Sequence, residues 1–325
     1  MEEPDSVEGM STESYSLEAL TDLKRRRFEA CDALQRRTKH PLVFARSDAL
    51  ELLAVEKPIE PERERRRTDM DVVVGSTAEK SHIANVRFLT WNGPLQTTEV
   101  GRTVTCLNPV SAWAHYAAIL TLGELVVLGD SMMRRNGRLT RAEIESFHTY
   151  LDVANRFIGI ENCRLALRLM REGTDSSQET RTRLVPLLYG LPEPTVNHPV
   201  RLRSGTLIFL DLSYPQLRIA IEYDGNYHRF DRMQVLRDDK RREALEDMGW
   251  IYIKVTVLDL KSESGQEELA QRIATRIEQV IGVPVPLTSR MTVRQVCDLR
   301  RLRKRPIWER IPRESWIAPW AVQHS

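Results

Sequence analysis

At 325 residues the chain is longer than one hydrophobic core usually organises, so two domains are expected. Apolar residues at 41% and charged residues at 29% suit a globular protein in water, and no apolar run is long enough to cross a bilayer, so no membrane role is expected. A net charge of +2 is too small to mark the whole chain as a nucleic-acid binder, and the scattered Cys31, Cys106, Cys163 and Cys297 form neither a disulfide framework nor a zinc site.

The acidic start MEEPDSVEGMSTES lacks the positive and then apolar regions of a secretory signal, which predicts a cytoplasmic chain with a disordered segment over 1–20. Helical patterning enters at 15 and runs to 37, and a second helix is predicted over 41–56 with Ser47 as its N-cap. The charged, proline-bearing 57–70 reads as a turn region, followed by short strands at 71–74, 86–90 and 103–106. Helical spacing then covers 110–133, through Trp113, Ala117, Leu120 and Leu125, and returns at 140–153 and 160–170. These elements make 21–175 a mostly helical α/β domain without a recognisable catalytic cluster. The basic runs 24–27, 63–67 and 300–305 each read as solvated faces or tails.

The stretches TVTCLNPVSAW and LVVLGDSMMRRNGRLT in that domain resemble the AbiEi-like antitoxins and their fused relatives, with Asp130 and Arg134 among the landmarks. The resemblance implies a toxin or regulatory protein as partner. Read as residues alone, Asp130 and Arg134 are an i,i+4 surface pair.

A second domain, 176–284, opens at the polar GTDSSQ stretch. A helix over 177–189 leads to extended runs near 196–203, at TLIFLDLS and at LRIAIEYDG. A helix over 230–248, the strand-like IYIKVTVLDL and a helix over 265–281 follow. The order is α-β-β-β-α-β-α. Residues 285–325, rich in Pro and Arg with Trp308, Trp316 and Trp320, are expected to pack on a neighbour as a basic extension.

Period-two alternation puts Phe209 and Asp211 on one side of TLIFLDLS and Ile208, Leu210 and Leu212 on the other. On the next strand Arg218, Ala220, Glu222 and Asp224 lie opposite Leu217, Ile219 and Ile221. A two-residue loop at Pro215 and Gln216 would set Asp211 opposite Ala220 and diagonal to Glu222, about 7–8 Å away. Two carboxylates so placed repel unless a cation joins them, and oxygen ligands suit Mg²⁺ or Mn²⁺. Asp224 with Gly225 also fits a simple turn.

Three stretches, SSQETRTRLVPLLYGLPEP, FLDLSYPQLRIAIEYDGNYH and RDDKRREALEDMGWIYIKVT, resemble the Vsr-like branch of the PD-(D/E)xK restriction-endonuclease fold. That resemblance implies an αβββαβ core and hydrolysis of nucleic-acid phosphodiesters, with DNA as substrate. It implies Asp211 and Glu222 as metal ligands, Glu179 as the acid of the first helix, and His228 as a proton-transfer or phosphate-contacting residue. Glu179 also completes a Ser176 capping box. Where the family motif has lysine, two residues after the second acid, this chain has Asp224, so Lys240 on the following helix is either the replacement or a snorkelling side chain. The departure also leaves open a regulator that carries a nuclease fold without its chemistry.

Overall fold

The computed structural model describes residues 16–225 and 232–318, and the chain divides into two compact units, with the boundary in the sequence between Ser177 and Gln178. Both units are mixed α/β, each built on one mixed sheet.

The first unit opens with α1 (Leu17–Arg37), whose N-cap Ser16 accepts from the Ala19 amide. Leu20 is buried there against Ala54 and Leu139, so the disordered start expected through residue 20 gives way to helix at 17. Next come β1 (Val43–Phe44), α2 (Arg46–Leu52), α3 (Glu62–Arg65), β2 (Met70–Val74), β3 (Val86–Thr90), β4 (Thr97–Val100) and β5 (Val104–Leu107). The strands lie in the order β3-β2-β1-β5-β4, parallel at β1–β5 and β2–β3 and antiparallel at β1–β2 and β4–β5. Helices α4 (Pro109–Tyr116), α5 (Leu122–Met132), α6 (Ile144–Val153) and α7 (Ile160–Leu169) complete the unit.

Three expectations change here. The helix foreseen over 41–56 is a two-residue strand and then α2, with Ser47 inside the helix and Ala45 at its cap. The block 110–133 is two helices because Thr121 caps a new start, accepting from the Glu124 amide. Asp130 and Arg134 are no surface pair, since both are buried. Asp130 accepts from the Arg171 amide at 2.8 Å, and Arg134 pairs with the buried Glu56, which also takes the Ser177 hydroxyl. Burying such charges is tolerable only because each finds a partner.

The second unit runs α8 (Ser177–Leu188), β6 (Thr195–Arg201), β7 (Leu207–Tyr214), β8 (Ile219–Tyr223), α9 (Arg232–Glu246), β9 (Ile251–Val255), α10 (Val257–Lys261) and α11 (Glu263–Ile281). Its sheet has the order β6-β7-β8-β9, with β6–β7 and β7–β8 antiparallel and β8–β9 parallel. A parallel neighbour needs a crossover, and α9 supplies it. The strand expected through residue 260 stops at Val255, where Thr256 and Asp259 form a capping box that opens α10.

The C-terminal segment, with α12 (Val293–Val296) and α13 (Leu299–Leu302), packs on this same unit. Trp308 is buried with its ring 5.3 Å from Tyr214, and the amide of Ile317 donates to the Val280 carbonyl. No described helix is long and apolar enough to cross a membrane, and all four cysteines are free and buried.

Candidate functional site: an acidic cluster at the end of the second sheet

The β7–β8 connection decides the geometry. Pro215–Leu217 forms a 3-10 turn and Arg218 follows in the left-handed region at φ 49°, so the link is longer than two residues. The pairs Tyr214↔Ile219, Ser213↔Ala220 and Leu212↔Ile221 result, and one further step brings Asp211 opposite Glu222 rather than Ala220. The Tyr223 amide donates to Asp211 Oδ2 at 3.1 Å, which ties that carboxylate to β8.

Along β7 the buried Leu210 and Leu212 alternate with the half-buried Phe209 and Asp211. Asn197 of β6, which the β6–β7 register sets opposite Asp211, has φ 46°, and the register is the same on either side of it, at Val196↔Leu212 and His198↔Leu210. Leu210 joins Val200, Ala220, Leu245 and Trp250 in one buried cluster, with Tyr252 packed against it. The acids sit beside this apolar cluster.

Tyr252 lies in the field of these acids. Burial pushes its phenol well above the ordinary range, and the charges of Glu222, Asp211 and Asp224 push it further, with Arg241 opposing.

Glu222 is buried and accepts from Arg241 Nη2 at 3.0 Å; the same Nη2 donates to the Phe209 carbonyl. Asp224 lies just past β8, where its amide donates to the Val255 carbonyl and its carboxylate pairs with Lys254. The β8–β9 register sets Glu222 directly beside Lys254.

Of the residues singled out in the sequence, Asp211, Glu222 and Asp224 come together. Lys240 is exposed on α9, and the helix cation that reaches the acids is its neighbour Arg241. The reason is phase: Arg241 lies one turn before the buried Leu245, on the side that meets the sheet, and Lys240 is rotated away from it. Glu179 is buried in the first turn of α8, whose start at Ser177 leaves Ser176 at the N-cap position. His228 lies outside the described residues. Among the described residues, no three His, Cys, Asp or Glu side chains gather as a metal-ligand set.

Arg241, Tyr252 and Lys254 did not stand out in the sequence. The alternation of IYIKV pairs Tyr252 with Lys254 on one side of a strand, but only the parallel neighbour makes that side the acidic one.

No family model matches the chain, and no solved structure matches it. It is similar to two proteins of Mycobacterium tuberculosis, the uncharacterized protein MT2308 of strain CDC 1551 / Oshkosh and the uncharacterized protein Rv2248 of strain ATCC 25618 / H37Rv. Each is 30% identical over 145 residues, which are 45% of this chain and 52% of the relative. The chain therefore spans about half the length of the curated relatives it matches.

Proposed function

We propose that the second unit is a restriction-endonuclease-like, Vsr-type core that hydrolyses phosphodiesters of DNA in the cytoplasm. The observation that carries this reading is the strand pairing that brings Asp211 opposite Glu222, with Asp224 just past the end of β8, in a unit whose elements run α-β-β-β-α-β. Two carboxylates facing each other across neighbouring strands offer the hard oxygen donors that a divalent cation takes. Asp211 and Glu222 are the residues that would hold Mg²⁺ or Mn²⁺, and the ion when bound supplies charge stabilisation to the phosphoryl oxygens and acidifies the attacking water. The chain's own part is positional. Arg241 orients Glu222 through its second bond to Phe209, and the Tyr223 amide fixes Asp211.

Plasmid nicking with Mg²⁺ or Mn²⁺ tests the reading, alongside Mn²⁺ titration by calorimetry. The parent should nick and bind, whereas Asp211→Ala and Glu222→Gln should lose at least about 100-fold in rate, the scale of removing a group that meets transition-state charge. A parent inactive on double-stranded DNA, single-stranded DNA and RNA would remove the enzyme reading.

A second reading is a regulator built on a degenerate nuclease fold, with an AbiEi-like first unit and a toxin-like protein as partner. The observation favouring it is that Glu222 is already paired with Arg241 while an acid, Asp224, stands two residues later.

A further inference from the structure

We infer that Lys254, carried on β9, is the catalytic cation of this centre, taking the place that Asp224 cannot fill. The inference rests on the nuclease reading above. The parallel register Glu222↔Lys254 sets the lysine one strand spacing, about 4.8 Å, from the second acid at backbone level. Its ammonium turns along the sheet to the Asp224 carboxylate, so it stands among the acids without binding Glu222.

The plainer account is a surface ion pair. Two features separate Lys254 from that case. First, the other described cation at the cluster is committed: Arg241 is bonded to both Glu222 and the Phe209 carbonyl, so it cannot leave without uncovering a buried carboxylate. Second, the Lys254 and Asp224 side chains are 50% and 38% exposed, so a phosphate arriving at the acids meets an ammonium held by only a weak, solvated partner. Asp224 then acts as a placeholder for the phosphate rather than as a ligand. Lys240 has no such neighbourhood, being exposed on the crossover helix.

In the step, a water oxygen attacks phosphorus and gives its proton to solvent, while the P–O bond to the leaving sugar oxygen breaks and that oxygen takes up a proton from solvent to leave as the hydroxyl. The Lys254 ammonium contacts a non-bridging phosphoryl oxygen and stays protonated throughout.

The test compares Lys254→Met, Lys254→Arg and Lys240→Met in the full chain. Two readouts are used: the nicking rate with Mn²⁺, and anisotropy binding of a short duplex without metal across a salt series. Lys254→Met should lose at least 100-fold in rate, and the slope of log affinity against log salt should fall by about one phosphate contact. Lys254→Arg should keep the slope and part of the rate, and Lys240→Met should stay within threefold of the parent. Calorimetric Mn²⁺ binding and the melting temperature should match the parent in all three, as a merely structural lysine would not combine with a lost slope. If the parent nicks and Lys254→Met nicks within threefold or keeps its salt slope, the assignment of Lys254 is overturned while the nuclease reading stands. A parent that neither nicks nor binds overturns both.

Discussion

Asp48 is one residue whose charge state couples pH to the stability of the first unit. It is buried on α2, where Oδ2 accepts from the Asp71 amide at 2.7 Å and Oδ1 pairs with Arg27 at 2.8 Å. Burial outweighs both and pushes the carboxyl from its ordinary 3.8 up to about 6. The native state then keeps a proton that the unfolded chain has already released. This contribution is fully present below about pH 4 and falls as pH rises to about 6, by about 3 kcal/mol at ~1.4 kcal/mol per unit. Glu51 and Glu64, held low by their cationic partners against burial, act in the opposite sense at more acid pH. Urea unfolding of the parent and Asp48→Asn at about pH 4 and pH 7 separates these terms. The parent should lose more stability than the variant across that interval, and an equal response in both would show that Asp48 titrates alike in the folded and unfolded chain.

At the level of elements, α7 begins where the backbone leaves no room for a side chain. Gly159 has φ 94°, and a Cβ there would meet the Ala117 carbonyl carbon at 2.6 Å. Asn162 holds that same carbonyl at 3.1 Å, so α4 and α7 are fixed against each other at this point. Gly159→Ala should cost about 2–3 kcal/mol, combining left-handed strain with displacement of backbone. Gly173→Ala, at φ 90° with open space around it, should cost only the conformational part, and equal melting temperatures for the two variants would refute the close-approach argument. The same scale shows what could be read in advance. The extents of α1 and β7 follow, to within two residues, from periodicity and capping, because those signals are local. The two-residue β1 is too short to have a period. The acidic site was legible in its residue types but not in its register, since Pro215 and Gln216 look like a tight hairpin while the left-handed Arg218 extends the turn. Lys254 was hidden because its partner strand lies beyond a helix.

For the whole molecule, the stretch after residue 284 belongs to the second unit, although that unit was expected to end there. Met291, Val296, Cys297, Trp308 and Trp316 are all buried, and Trp308 covers Tyr214 at the end of β7. A chain ended at residue 284 should lower the melting of its second unit by on the order of 10 °C relative to the full chain, since one buried Trp is worth ~3–5 kcal/mol. Calorimetric traces that coincide would show the segment to be dispensable. The parallel pairing of β8 with β9 also bears on how the protein is made. Ile219, Ala220 and Ile221 are buried in the finished sheet, yet during synthesis they precede their partner strand by all of α9. Until residue 255 has left the ribosome, β8 is an open apolar edge. A second nascent chain at the same stage presents the same edge, so crowded polysomes are where this protein is most exposed to strand-to-strand aggregation.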